Sequence, residues 1–249
     1  MEKLLVTNDY ASLEAVDFNR VVYDKPNDLI YIQTPTKYEF VDLGLSVKWA
    51  TCNVGATKPE ETGLFFQWGD TQGYKVTLGE LQNEGQGLYS IESMDPEMKQ
   101  FTKYFSDYKF YSVENGTFNK YNGLDGLTTL ELSDDAANAD YSKMRMPTKK
   151  ECEELFTRTT SAWTDNYNET NVKGCVFTSK VDETKSIFIP AAGAVYDGIA
   201  KHVGLYGCLW PSSLHNSKVD KAYVFAFDYI DSIVGYDGRY VGVPVRGVV

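Results

Sequence analysis

From residue 172 to its last residue the chain is a succession of short runs rich in β-branched and aromatic residues. They read VKGCVFTSK, SIFIPAAGAV, LYGCLWPSS, KAYVFAFDYI and GRYVGVPVRGVV. Gly, Pro, Asn, Asp or Ser bounds each run, and none is longer than a strand. Short strands joined by tight connections pair antiparallel, because a parallel crossover needs a dozen residues or more. The same signature occurs upstream. In EFVDLGLSVKWATCNVGA, Val41, Leu43, Leu45, Val47 and Trp49 alternate with Asp42, Gly44, Ser46 and Lys48, the period of one half-buried strand. LFFQWGD (64–70) reads as a second, more apolar strand.

Helical signals are few. SDDAANADY (133–141) begins with a cap and early acids. In MPTKKECEELFTR, Thr148 and Glu151 form a capping box directly after Pro147, and Leu155 and Phe156 supply the apolar side. DPEMKQFTKYF (95–105) has Asp95 as an N-cap and Pro96 at the first helical position. The rest of 71–127 is rich in Gly, Asn and Tyr with weak periodicity, and reads as a loop-rich insertion. The expected fold class is α+β: antiparallel sheets with two short helices.

Residues 1–38 have a different character. NDYASLEAVDFNR reads as a short helix opened by Asn8 or Asp9, VVYD-KPND-LIYI (21–32) as a β-hairpin, and QTPTK (33–37) as a linker. The expected organisation is an attachment arm, 1–38, ahead of a main domain, 39–249. The first residues, MEKLLVTNDYASLEAVDF, lack the basic segment and apolar run of a secretory leader, which points away from export by the usual route.

With 35 acids against 24 Lys and Arg, the formal charge is −11. That argues against a nucleic-acid backbone or an anionic membrane as partner. No apolar run approaches the ~20 residues of a membrane span. Cys52, Cys152, Cys175 and Cys208 form no CxxC. They read as small buried hydrophobes, with one disulfide pair as the alternative. His202 and His215 are too few for a His-rich metal site, and no zinc, Walker, dinucleotide or G-x-S-x-G motif is present. The expectation is a protein without cofactor, metal or catalytic residues. Paired carboxylates for glycan processing stay open as the alternative. Arg246 reads as a structural ion-pair partner.

One series of motifs carries a resemblance. VDLGLSVKWATCNVGA…PEETG…FFQWGD is followed by TTLELSDDAANA…RMPTKKECEEL, IFIPAAG, and LYGCLWPSS…AYVFAF…RYVGVPVR. In this order they resemble the C-type-lectin-like domain of Bacteroidetes surface proteins and their phages, of the Fibrobacter succinogenes major paralogous domain type. The resemblance covers roughly 39–249. It implies that Trp49, Cys52, Trp68 and Trp210 are core markers rather than a thiol site. The Glu-Pro-Asn or Gln-Pro-Asp loop and the Trp-Asn-Asp strand of calcium-dependent lectins are missing, as is the GNVWEW-like stretch of sulfatase-modifying enzymes. Neither activity is therefore expected.

Related domains place ligand contacts in the segment matching 204–249. In AYVFAFDY, Tyr223, Phe225 and Phe227 share one face, expected inward, while Val224, Ala226 and Asp228 share the other. SSLHNSKVD (212–220) and IDSIVGYDGRY (230–240) are then the exposed ends. The candidate binding residues are Tyr206, Leu214, His215, Asn216, Tyr236, Asp237 and Tyr240. The resemblance and the arm together imply a non-enzymatic virion component, a phage head or tail fibre or decoration protein. Residues 1–38 would meet a capsid or tail protein, and the C-terminal loops a host-surface protein or glycan. A homo-oligomer is expected, a trimer first. A bacterial surface adhesin with a removed leader is the alternative.

Overall fold

A computed structural model describes residues 21–24, 29–32, 38–83, 86–93, 108–196 and 199–249, with backbone pairing alone for 21–32, 77–93 and Ile199. The chain divides into two units, Met1–Lys37 and Tyr38–Val249. In the first, β1 (Val21–Asp24) pairs antiparallel with β2 (Leu29–Ile32), Val21 opposite Ile32 and Asp24 opposite Leu29. This is the expected hairpin. The expected helices near residue 9 and at 95–105 lie outside the described residues.

The second unit starts one residue earlier than the sequence suggests, because Tyr38 is buried and its hydroxyl accepts from Gly55 N at 3.1 Å. Its first elements are β3 (Phe40–Val41), β4 (Trp49–Asn53), β5 (Leu64–Phe66), β6 (Tyr74–Asn83), β7 (Gln86–Ser93), β8 (Tyr111–Ser112) and β9 (Thr117–Phe118). Then come helices α1 (Ala136–Asp140) and α2 (Lys149–Arg158). Strands β10 (Thr159–Tyr167), β11 (Val172–Ser179), β12 (Ser186–Pro190), β13 (Ala194–Tyr196) and β14 (Ile199–Lys201) follow. The chain ends with β15 (Gly207–Leu209), β16 (Lys221–Phe227), β17 (Ser232–Gly238), β18 (Val243–Pro244) and β19 (Arg246–Val248). The sheets run β19-β4-β3, β18-β5-β6-β7, β8-β9, β10-β11-β12, β13-β14 and β15-β16-β17. Every pair is antiparallel. The unit is thus a sheet-rich α+β domain.

The opening alternation does not form one strand. β3 and β4 flank a bend in which Gly44 takes φ +74° and its N–H donates to Asp42 Oδ1 at 3.0 Å. An Asx-type turn breaks the ladder there, yet Leu43 stays buried, so the alternation still reports burial. Trp49 lies fully buried in one core with Phe177, Phe225 and Leu155. Trp68 and Trp210 sit in the other, their indole N–H groups donating to the carbonyls of Pro211 and Phe66 at 2.9 Å each. All four cysteines are free and buried, and burial pushes each thiol above its ordinary range. They behave as small core residues.

α2 begins at the expected capping box: Thr148 Oγ1 accepts from Glu151 N at 3.3 Å, and Glu151 Oε2 accepts from Thr148 N at 2.7 Å. Cys152 and Leu155 face the second core, and Phe156 stacks on Phe225 at 6.3 Å. α1 is capped by Asp135, which accepts from Ala137 N and Asn138 N.

Four expectations need correction. Weak periodicity in 71–127 does not signal the β6–β7 hairpin or the small β8–β9 pair, both of which this region carries; residues 84–85 and 94–107 lie outside the described residues. Segment 230–240 is mostly strand β17 rather than an exposed turn, because its alternation completes the ladder of β16. β16 buries both faces, since a core packs on each side of its sheet: Phe225 and Phe227 enter one, Ala222 and Val224 the other. Arg246 is no ion-pair partner. It is fully buried, and its guanidinium donates to Asn53 Oδ1 and to the carbonyls of Ala50, Thr51 and Phe188 at 2.8–3.1 Å.

Candidate binding surface

The loop before β16 is held by its own apolar residue. Leu214 is 5% exposed and bridges Ala222, while its N–H donates to Thr128 O at 2.9 Å. It is an anchor rather than a contact residue, which corrects the expectation. His215 follows, and its N–H donates to Lys221 O at 3.2 Å. Its Nδ1 accepts from Ser217 N and Lys218 N, both at 3.2 Å. Two donors on Nδ1 place the ring proton of the neutral imidazole on Nε2.

In the ladder Tyr223 of β16 stands directly opposite Tyr236 of β17. His215 closes this pair into a three-ring cluster, stacked on Tyr223 at 5.0 Å and edge-on to Tyr236 at 4.7 Å. Two ammonium groups flank the rings. Lys218 Nζ donates to the Tyr236 hydroxyl at 2.7 Å and lies 4.2 Å from that ring's centre. Lys149 Nζ sits 4.8 Å from the Tyr223 centre and pairs with Glu153 at 2.9 Å. Tyr236 is 48% exposed, and Asn216, next to His215 in the chain, is exposed as well. Burial and the Lys218 charge hold the His215 imidazole below its usual range. The bond from Lys218 also draws the Tyr236 phenol down.

Side chains alternate along β17, so Asp237 faces the other way. Its Oδ2 accepts from Tyr196 OH at 2.7 Å. Tyr206 is half-buried on that same side, and burial pushes both phenols up, with Asp237 adding to the effect. Tyr240 is half-buried against the first core, and its carbonyl accepts from Gln67 Nε2 at 3.1 Å. Of the seven candidates, His215, Asn216 and Tyr236 therefore form one surface. Tyr206 and Asp237 lie across the sheet, Tyr240 packs inward and Leu214 is core.

Sequence reasoning missed Tyr223, Lys218 and Lys149. A strand reading of 230–240 would have exposed the first, because Tyr236 then needs a cross-strand partner. Lys149 opens α2 in the sequence, but only packing brings α2 against β16.

The far end of β17 is fixed by Arg239, which is fully buried. Its Nη1 donates to Val219 O at 2.9 Å and Tyr121 O at 3.1 Å, Nη2 to Lys120 O at 3.2 Å, and Nε to Tyr108 OH at 3.1 Å. Five rings surround it, of Trp68, Tyr108, Phe110, Phe118 and Tyr121, with centres 4.5–5.8 Å away. The bond to Val219 ties the loop at 212–220 to this pillar.

Among the described residues no three His, Cys, Asp or Glu side chains converge as metal ligands, and no helix is long and apolar enough to cross a membrane. No protein-family model, curated protein or solved structure matches the chain. What the surface can do chemically follows from its groups. Flat aromatic faces, an amide and an ammonium offer stacking and directional hydrogen bonds.

Proposed function

We propose that the chain is a non-enzymatic recognition protein whose Tyr236, His215, Asn216 and Lys218 surface contacts a host-surface glycan. The observation that carries this reading is the exposed Tyr236 ring, held between His215 and Lys218 on a loop anchored in the core. A sugar ring lays its C–H face on an aromatic ring and turns its hydroxyls to amide and ammonium groups. A site held in place before binding loses less freedom on association.

The scaffold reading is a C-type-lectin-like domain. It rests on the ordered motif series through 39–249 and is supported by the sheet-rich α+β architecture with Trp49, Trp68 and Trp210 buried. In this proposal the amino-terminal unit attaches the domain to a phage particle, as a fibre or decoration protein. Its support is the division of the chain after Lys37 and the hairpin within that unit.

The test is a glycan array followed by titration calorimetry on the best binder. Tyr236→Ala is expected to cost about 2 kcal/mol, roughly thirtyfold in affinity, with an unchanged melting temperature. Undiminished binding by this variant sinks the assignment of the surface. Turnover of the glycan, abolished by a single Asp or Glu substitution, sinks the non-enzymatic reading.

A further inference from the structure

β17 is the outer strand of its sheet. β16 pairs with one side of it, and among the described residues no strand pairs with the other. The two ends of the ladder fix which backbone groups face where. Arg239 N donates to Asp220 O, and Asp228 N to Asp231 O. In an antiparallel ladder bonded pairs recur at every second residue, so Ile233, Gly235 and Asp237 bond to β16. Ser232, Val234, Tyr236 and Gly238 therefore turn their N–H groups outward.

The outer two of these donors are already engaged. Ser232 N donates to Asp231 Oδ1 and Gly238 N to Asp237 Oδ1, at 2.7 Å each. The inner two, on Val234 and Tyr236, point away from the sheet. This pattern of engaged and open donors is symmetric about Gly235. Natural edges are commonly guarded by proline, lysine or a bulge. β17 carries none of these, and its Ile233 is 61% exposed. Gly235 also lacks an internal reason to be glycine: its φ is not positive, and an added Cβ would meet nothing of its own chain.

We infer that β17 is a self-pairing edge: two copies of the chain meet antiparallel about a two-fold axis at Gly235, joining their sheets into one. In this register Val234 of each copy exchanges both backbone bonds with Tyr236 of the other. The central pair is Gly235 with Gly235, at the narrow spacing of about 4.5 Å between Cα atoms. Val234 and Tyr236 also form cross-strand apolar pairs, a favourable combination on a sheet face. Charge does not select the partner, because the end of β17 carries Asp220 and Asp237 beside Lys218 and Lys221. The symmetry of engaged and open donors about Gly235 favours a second copy over an unrelated extended peptide, which has no reason to match it. One consequence is that two Tyr236 surfaces stand side by side on one face, which makes the protein bivalent for a repeating ligand.

The test is sedimentation equilibrium of the full chain from micromolar to millimolar concentration, where a dimer is expected. Val234→Pro removes one outward N–H and leaves the β16–β17 ladder intact. It is expected to sediment as a monomer with native circular dichroism. Ile233 supplies a second probe that needs no backbone change, since in this register it lies opposite Asp237 of the other copy. Ile233→Asp faces two acids across the interface twice per dimer, and is expected to weaken association on the order of tenfold. Ile233→Lys faces Asp237 with a lysine and is expected to retain the dimer. Wild-type protein that stays monomeric overturns the inference. So does an assembly of any size that survives Val234→Pro, or equal association by the Asp and Lys variants.

Discussion

Replacing Arg239 by Met keeps the unbranched apolar stem of the side chain and removes the guanidinium with every donor. Four hydrogen bonds are lost, three of them to the carbonyls of Tyr121, Val219 and Lys120. The bond to Tyr121 O is fully buried, so this carbonyl is left without a partner at a cost of about 2 kcal/mol. The bonds to Val219 O and Lys120 O are partly open to solvent, where water takes over and about 1 kcal/mol each is lost. Loss of the Nε bond to Tyr108 OH adds little, because that hydroxyl still donates to the Trp68 carbonyl. Loss of the cation from its five-ring cage adds about 1 kcal/mol. Against this, the folded state no longer desolvates a guanidinium that lacks a carboxylate partner, which returns about 2 kcal/mol. The net loss expected is about 3 kcal/mol, a large share of the 5–15 kcal/mol that typically holds a domain together. Urea unfolding followed by tryptophan fluorescence reads it directly, since Arg239 lies 5.0 Å from the Trp68 ring centre. With a denaturant slope of about 3 kcal/mol/M, the midpoint falls by about 1 M. Arg239→Lys keeps the charge but not the planar fork, and is expected to fall between the two. A midpoint for Arg239→Met within ~0.2 M of wild type would refute the reasoning, because the cage would then be decoration rather than a clamp.

Two further predictions concern titrating groups. Burial pushes the Asp134 carboxyl up, but the bonds from Lys120 at 2.5 Å, Lys109 at 2.9 Å and Tyr121 at 2.8 Å outweigh it and hold it below the usual range. A depressed carboxyl stabilises the fold above its unfolded pKa, and that contribution is lost as pH falls through the folded value. Asp134→Asn is therefore expected to cost about 1–2 kcal/mol at neutral pH, since both lysine heads are partly exposed. The melting curves of variant and wild type should converge in acid, and a gap that stays constant with pH excludes the mechanism. His215 is depressed by burial and then by Lys218, so the unfolded chain takes up its proton first. Stability is then full above the ordinary imidazole value near 6.5 and declines as pH falls toward the folded value. Proton NMR should place the His215 midpoint below that of an unfolded reference peptide; a midpoint above it contradicts the roles given to burial and to Lys218.

The sequence was most legible where local chemistry decides structure. The Thr148–Glu151 box starts a helix because both partners lie within one turn, and tertiary context has little to add. The alternation from Val41 to Trp49 reported burial correctly but missed the break at Gly44, because period 2 survives an Asx-type turn that ends the ladder. β10 carries mostly polar residues, TTSAWTDNY, and is a strand only because β11 pairs with it. The candidate surface was half legible. His215 and Tyr236, chosen for their loop-like settings, meet in one ring cluster, with Asn216 next to His215 in the chain. Leu214 was misplaced, since a single apolar residue in a polar loop reads equally well as an anchor or an exposed contact. Lys149 and Tyr223 join the surface through contacts between elements far apart in sequence, which local patterns do not encode.

Two buried arginines explain why a domain with so much irregular chain can hold such a surface in place. Arg246 joins β19 to β4 and β12 through Ala50, Thr51, Asn53 and Phe188, and Arg239 joins the end of β17 to the segments at 120–121 and 219. Each uses a planar fork to satisfy several carbonyls at once: Arg239 those of segments outside the strands, Arg246 those of β4 beside the irregular β19–β4 pairing and of β12, where an apolar side chain would donate to none. Burial draws Arg246 down to about 10, still far above neutral pH, so it keeps its charge and all its donors. The two play different parts. Arg246 closes the chain onto its own first strands and has no contact with the ring cluster. Arg239 holds Val219, at the foot of the loop that carries His215, Asn216 and Lys218. Loss of Arg239 should therefore loosen both fold and binding, whereas loss of Arg246 should act through stability alone.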